Sequence, residues 1–326
     1  MYDLQIVMDT LKESAGAIKK VGSIAEKVFG AKWRKAQADA DAYAIDTIAD
    51  TMRRNDDMKI TYNNGAVSIE KKEYDRLLDS ARLREEQETV KQQKNIEAMF
   101  NYMIEELRKA SKVSDEPVDE DFVDRLVENA KKTNKKELQF LWGKILAQEV
   151  VKPGSFSLRT LETVRNLSQL DMKTFEKITK VIFNYNKNPL IVADKKVLDN
   201  FGIEYFDILT LQECGVINPS GMVAVEFIVP ANNMNFCYDD KLVVIVKNRG
   251  SVNKTVKLNV YKFTKAGLEL LNVLNYNYDE KYMIEVSRCF READRDINLQ
   301  YTVHKINSIS TDGNIHFDKI VFAKIE

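Results

Sequence analysis

The chain has 326 residues, with 49 Lys and Arg against 50 Asp and Glu, so the formal net charge is −1. No global basic field is present to hold nucleic acid or an anionic membrane, and any such affinity has to come from a local patch. A hydrophobic fraction of 44% supports real cores, 30% charged residues suit a helix-rich surface, and twelve glycines and five prolines are too few for collagen-like, linker-rich or propeller architectures.

Residues 3 to 54 read as helix, with Leu4, Met8, Leu11, Ala15, Ile18, Gly22, Ala25 and Phe29 forming a seam at alternating spacings of four and three. Seven basic and two acidic residues between Lys12 and Lys35 make this stretch locally basic. Its small residues (Ala15, Gly16, Gly22, Ala25) suit close approach of another helix, and Ala36–Ala49 is alanine-rich and helix-forming. Two readings stay open here: a helix docked on its neighbours or a dimer partner, and a basic amphipathic helix making peripheral membrane or nucleic-acid contact. Residues 55–67 form a break, with Asn63, Asn64 and Gly65 as turn chemistry. A second long helix is predicted from Lys71 to Lys112, polar almost all round in its first half and apolar at Ile96, Met99, Phe100, Met103, Ile104 and Leu107.

Shorter helices follow at Asp119–Lys132, Lys135–Val150, Leu158–Leu167 (capped by Ser157) and Met172–Tyr185 (capped by Asp171). Beyond 188 the period changes. Lys195–Phe201 and Glu204–Cys214 are short helices. Val223–Val229, Leu242–Val246 and Leu258–Phe263 are strands, and Thr264 caps Lys265–Leu274. The tail offers a helix at Glu280–Arg291 and strands at Leu299–Ile306 and Ile315–Ile325, joined by an Asp312-Gly313 turn.

The expected fold class is α+β and mostly α. It comprises an elongated helical region (1–114), a helical bundle (115–187), a winged-helix-like unit (188–275) and a small α+β tail (276–326).

No phosphate-loop or dinucleotide fingerprint occurs, and the isolated Cys214, Cys237 and Cys289 lack the C-x-x-C spacing of a zinc or redox site. His304 and His316 lie in strand-like segments and read as exposed strand histidines, without a third metal ligand. No cofactor or metal is therefore expected, nor a catalytic residue. The acidic clusters Asp115–Asp121 and Asp239-Asp240 leave a metal-dependent nuclease as a minor reading. No apolar run of roughly 18 residues and no signal-peptide core occur, so a cytoplasmic location is expected.

The most specific stretch is W-x6-E-x3-P-G-S-x-S-x-R-T, carried by Trp142, Glu149, Pro153, Gly154, Ser155, Ser157, Arg159 and Thr160. Its residues suit a structural corner, with Trp142 as anchor, Pro153-Gly154 as turn and Glu149 facing Arg159. The alternative to that corner is an anion site at a helix N-terminus, built on Arg159, Thr160 and the serines. Together with FGAKWRKAQADADA near the N-terminus, and the late L-x3-G-V-I and F-T-x2-G-x2-L patterns, this stretch resembles bacterial abortive-infection proteins of the Abi-alpha type and a related bacterial family of unknown function.

The resemblance implies a non-catalytic phage-defence protein acting by binding and assembly, as a homo-oligomer or with a protein partner. The alternative from the residues is a nucleic-acid-binding winged helix, with Lys247, Arg249, Lys254 and Lys257 placed to meet phosphates from the wing. Against it, the candidate recognition helix, EYFDILTLQEC, holds no Lys or Arg.

Overall fold

A computed structural model describes residues 15–29, 60–63, 66–69, 73–110, 112–274, 278–310 and 314–325. The helical readings of Leu4, Met8, Leu11 and Ala36–Ala49, and the Asn64-Gly65 and Asp312-Gly313 turns, fall outside them. Of the described residues half are helical and 22% are strand, which makes the protein α+β and mostly α. Two compact units divide the chain, Met1–Ser155 and Phe156–Glu326. The helices expected as one bundle over 115–187 are therefore shared between them.

In the first unit, α1 (Ala15–Phe29) is followed by a hairpin of β1 (Ile60–Asn63) and β2 (Ala66–Ile69), where only a break was expected. Then come α2 (Glu73–Leu107), α3 (Glu120–Ala130) and α4 (Lys136–Val151). Residues 77–91 of α2 are exposed on every side, in keeping with their mostly polar pattern, although Leu77, Leu78, Leu83 and Val90 are exposed among them. Its second half buries Ile96, Met99, Phe100, Met103, Ile104 and Leu107 against α4. The crossing is tight, because a Cβ on Gly143 of α4 would stand 2.6 Å from Tyr102 Cβ and 2.7 Å from the Met99 carbonyl oxygen.

Of the small residues read as the close-approach face of α1, Ala25 is fully buried and Gly22 is not on that face. Gly22 faces open space, and Val21, Ile24 and Ala25 are the buried positions. Two of its cations serve inside the unit. Lys20 is buried and donates to the carbonyls of Ser114 (2.5 Å) and Val150 (3.3 Å), on the last turn of α4. Burial holds its ammonium pKa below the ordinary value, against the raising pull of Asp115 and Glu116. Lys27 pairs with Asp124 (2.9 Å) and Glu120 (3.6 Å) on α3. Two acids of the 115–121 run are thereby engaged, Glu120 by Lys27 and Asp119, which caps α3 by accepting the Phe122 N–H.

The second unit begins with α5 (Leu158–Asn166) and α6 (Gln169–Ile178). Ser168 caps α6 in a reciprocal box with Asp171, which moves the helix start three residues ahead of the Met172 expected with an Asp171 cap. The helix also stops early: the stretch read as its end forms β3 (Phe183–Tyr185), and β4 (Asn188–Val192) follows. A two-residue turn joins them, with positive φ at Asn186 (50°) and Lys187 (63°). Next come α7 (Lys195–Asn200), α8 (Tyr205–Glu213), β5 (Val223–Val229), β6 (Met234–Tyr238), β7 (Leu242–Asn248), β8 (Lys254–Lys262) and α9 (Lys265–Leu271). The chain closes with α10 (Glu280–Ala293), β9 (Leu299–Ile309), β10 (Ile315–Phe317) and β11 (Ala323–Ile325).

Strands β3 to β11 form one antiparallel sheet of order β10-β9-β7-β6-β3-β4-β8-β5, with β11 also paired to β9. In the winged-helix-like unit β5 pairs with β8 over seven residues, and the connection read as a wing holds a further hairpin, β6–β7. Helix α10 packs on β7, β9 and β8 at once, although β6, β3 and β4 separate β7 from β8. The sheet therefore curls around it, and Tyr282, Met283, Val286 and Phe290 fill the concave side.

Asp239 sits inside this unit at the β6–β7 turn, with its carboxylate accepting the N–H groups of Lys241 (2.7 Å) and Leu242 (2.6 Å). Burial pushes its pKa up to about 6 despite those two bonds. The folded state thus holds this proton more tightly than the unfolded one, so the residue's contribution to stability falls as pH rises from about 4 to 6. Asp239→Asn, which keeps the accepting oxygen, is expected to match the wild type at pH 4. At pH 7.5 it should exceed the wild type by up to about 3 kcal/mol, at about 1.4 kcal/mol per unit of pKa. Urea midpoints of the two proteins across that range check it, and a pH-independent difference would refute the assignment.

Candidate interaction surfaces

The residues of the W-E-PGS motif serve separate jobs in the two units. Trp142 is buried in the first, and its indole N–H donates to the Thr133 hydroxyl at 3.1 Å. Glu149, also buried, accepts the Gly154 N–H at 2.5 Å, while Gly154 takes φ 79° after Pro153 and the Ser155 hydroxyl donates to the Lys152 carbonyl (2.6 Å). The E-x3-P-G spacing is thus the length of the loop that lets the last turn of α4 bond back on itself. Ser157 makes no hydroxyl cap on α5, contrary to expectation. Its N–H (2.7 Å) and hydroxyl (3.0 Å) both donate to Glu269 of α9, and so does the hydroxyl of the fully buried Thr160.

The anion expected at the start of α5 is therefore a carboxylate of the chain itself. Glu269 keeps only 12% of its side chain exposed and has Lys265 at 3.7 Å. Arg159 is exposed in the first turn of α5, and no ion pair ties it to another described residue. Sequence reasoning missed Glu269, because nothing local to the F-T-x2-G-x2-L pattern marks it.

That pattern and L-x3-G-V-I prove to be two halves of one junction. Gly215 (φ 73°) ends α8, and the Val216 N–H returns to the Leu211 carbonyl at 2.9 Å. Thr264 donates its hydroxyl to the Gly215 carbonyl (2.5 Å) and its N–H to the Val216 carbonyl (2.9 Å), and caps α9 by accepting the Gly267 N–H (3.0 Å). A Cβ on Gly267 would lie 2.1 Å from the Val216 oxygen, so only glycine fits there.

The candidate recognition helix, α8, presents Tyr205 (62% exposed) and Phe206 (73% exposed), their rings edge to face at 6.1 Å. Its acids are Asp207 and Glu213, and Asp207 is paired with Lys177 of α6 at 2.5 Å. Of the four candidate phosphate contacts, two are already paired: Lys254 with Asp296, and Lys257 with Glu226 at 3.0 Å. The Lys254 pair holds its ammonium above and the Asp296 carboxyl below their ordinary pKa values. Lys247 and Arg249 are exposed and make no ion pair with another described residue.

His304 departs from the exposed strand histidine expected. It is buried, with Nδ1 at 2.9 Å from the Asp318 carbonyl and Nε2 at 3.0 Å from the Thr302 hydroxyl. Both ring nitrogens are thereby occupied. Among the described residues no group of three His, Cys, Asp or Glu is arranged to hold a metal ion, and no helix is long and apolar enough to cross a membrane. Burial also pushes the Cys289 thiol up to about 12 and that of Cys214 to about 11, which makes both poor nucleophiles.

The sequence model of a family described as "Protein of unknown function (DUF2806)" matches residues 79–287, well over half of the chain. The chain belongs to the DUF2806 family. The DUF2806 match takes in Glu149, Gly154, Thr160, the α8 face and the Gly215–Gly267 junction, and it ends before β9. No curated protein and no solved structure matches the chain.

Proposed function

We propose that this DUF2806 protein is a binding and assembly protein of the abortive-infection, phage-defence type, working in the cytoplasm without chemistry of its own. The face of α8 carries the reading. Where a winged helix that reads DNA needs cations, α8 offers an adjacent exposed tyrosine and phenylalanine, a pair suited to a protein partner or a second copy of the chain. The resemblance to Abi-alpha-type proteins supplies the biological setting. Nuclease chemistry has less support, since Asp239 is engaged in its turn and Asp119 in a helix cap.

Cells expressing the protein are expected to plate phage at reduced efficiency, and cells expressing Tyr205→Ser/Phe206→Ser at the efficiency of the empty vector, with equal protein levels. Equal protection by both would remove the α8 face from the function. Tight, salt-sensitive anisotropy binding to duplex DNA, lost with Lys247→Glu/Arg249→Glu, would favour the nucleic-acid reading instead.

A further inference from the structure

Three loops at one end of the curled sheet are fastened to one another. They are the β5–β6 turn (230–233), the β7–β8 turn (249–253) and the α10–β9 loop (294–298). Asn248, fully buried, is the hub. Its amide donates to the carbonyls of Val229 (3.1 Å) and Val252 (2.9 Å), and its oxygen accepts the Gly250 N–H (2.8 Å). The Asn232 N–H donates to the Gly250 carbonyl (3.0 Å), the Arg249 N–H to the Asn298 carbonyl (2.9 Å), and Lys254 pairs with Asp296.

On this rigid frame the large apolar residues point outward. Ile297 is 93% exposed and Val252 61%, and Ile228 and Met234, at the ends of β5 and β6 that the 230–233 turn joins, are exposed too. Lys247, which pairs in register with Met234, and Arg249 and Arg295 are exposed around them without an ion pair to another described residue. The loops and strand ends from 247 to 254 and 294 to 298 thus hold four cations against two acids, one of which is neutralised by Lys254.

Single aliphatic side chains on the tips of separate loops, ringed by unpaired cations and by Asn and Ser, match a bilayer surface. The tips enter the acyl boundary while Lys and Arg meet lipid phosphates. A protein hot spot would instead centre on an aromatic or arginine anchor in a packed pocket. We propose that this end of the second unit is a peripheral docking surface for anionic phospholipid, with Ile297 and Val252 as the inserting residues and Lys247, Arg249 and Arg295 as the headgroup contacts. This site is separate from the α8 face and does not depend on it.

Flotation of the full chain with vesicles reads it directly, using phosphatidylcholine alone or mixed with phosphatidylglycerol. Partition onto the anionic vesicles, weakened by salt, is expected. Val252→Ser/Ile297→Ser and, separately, Arg249→Glu are each expected to lower it about tenfold while leaving the melting temperature unchanged. Absence of partition by the wild type would overturn the proposal, as would partition by the serine variant equal to the wild type's. If Arg249→Glu abolishes binding to duplex DNA while the serine variant still floats, the surface is one for nucleic acid. If the serine variant loses self-association and no protein floats, the loops meet a second copy.

Discussion

Gly143→Val is expected to unfold the first unit at ordinary temperatures, at a cost of about 3 kcal/mol or more. The position lies inside α4, where valine's helix propensity by itself would be no worse than glycine's. What decides the sign is the backbone of α2, with the Met99 carbonyl at 2.7 Å and the Met103 nitrogen at 2.9 Å from any Cβ placed there. Backbone atoms of a helix held by its own hydrogen bonds cannot move aside one at a time, so the two helices must part along the whole Ile96–Leu107 face. Gly22→Ala is the matched control. It is also a helical glycine, but nothing lies within 4 Å, and it is expected to raise stability by about 0.5–1 kcal/mol. Urea denaturation followed by circular dichroism separates the two. Equal small effects would mean that α2 and α4 do not cross at Gly143.

Glu269→Ala is expected to cost about 3 kcal/mol and to loosen α5 from α9 in the second unit. The carboxylate is the sole common acceptor for three donors: the Ser157 N–H, the Ser157 hydroxyl and the Thr160 hydroxyl. Removing it leaves the Ser157 N–H without this acceptor and the two hydroxyls only each other, at 3.2 Å, with Thr160 fully buried. Glu269→Gln retains an accepting oxygen and should lose about half as much, since charge-assisted bonds are roughly twice as strong as neutral ones. Glu226→Ala, which breaks the exposed pair with Lys257, is the contrast and is expected to change stability by under about 1 kcal/mol. Chemical denaturation of the three variants, with hydrogen exchange at the Ser157 amide, checks the order. An unchanged Ser157 exchange rate in Glu269→Ala would refute the lock.

These two sites also mark where sequence patterns stop being informative. The helix periods of Phe122–Ala130 and Ile96–Leu107, and the alternation of Val223–Val229, are local properties, and the corresponding elements stand where their spacing puts them. Strands β3, β4 and β6 have no such independence. Phe183–Tyr185 is three residues long and follows a helix, and its character comes from pairing with Leu190–Asn188 across a two-residue turn and with Tyr238 far along the chain. The candidate site divides the same way. E-x3-P-G was legible because one loop closes on itself. Glu269, 112 residues beyond Ser157, has no pattern that announces it. The fastening of loop 249–253 to loop 294–298, by the Arg249 N–H on the Asn298 carbonyl and by Lys254 on Asp296, is equally non-local, and without it Ile297 reads as an ordinary loop residue.

The assembly reading is tested most directly by light-scattering mass of the full chain across a concentration series, beside Tyr205→Ser/Phe206→Ser. The wild type is expected above the 37.5 kDa of one chain, with a mass that grows with concentration, while the double variant stays near one chain and melts at the same temperature. A wild type that remains at one chain's mass throughout, or a variant that assembles equally well, would contradict it.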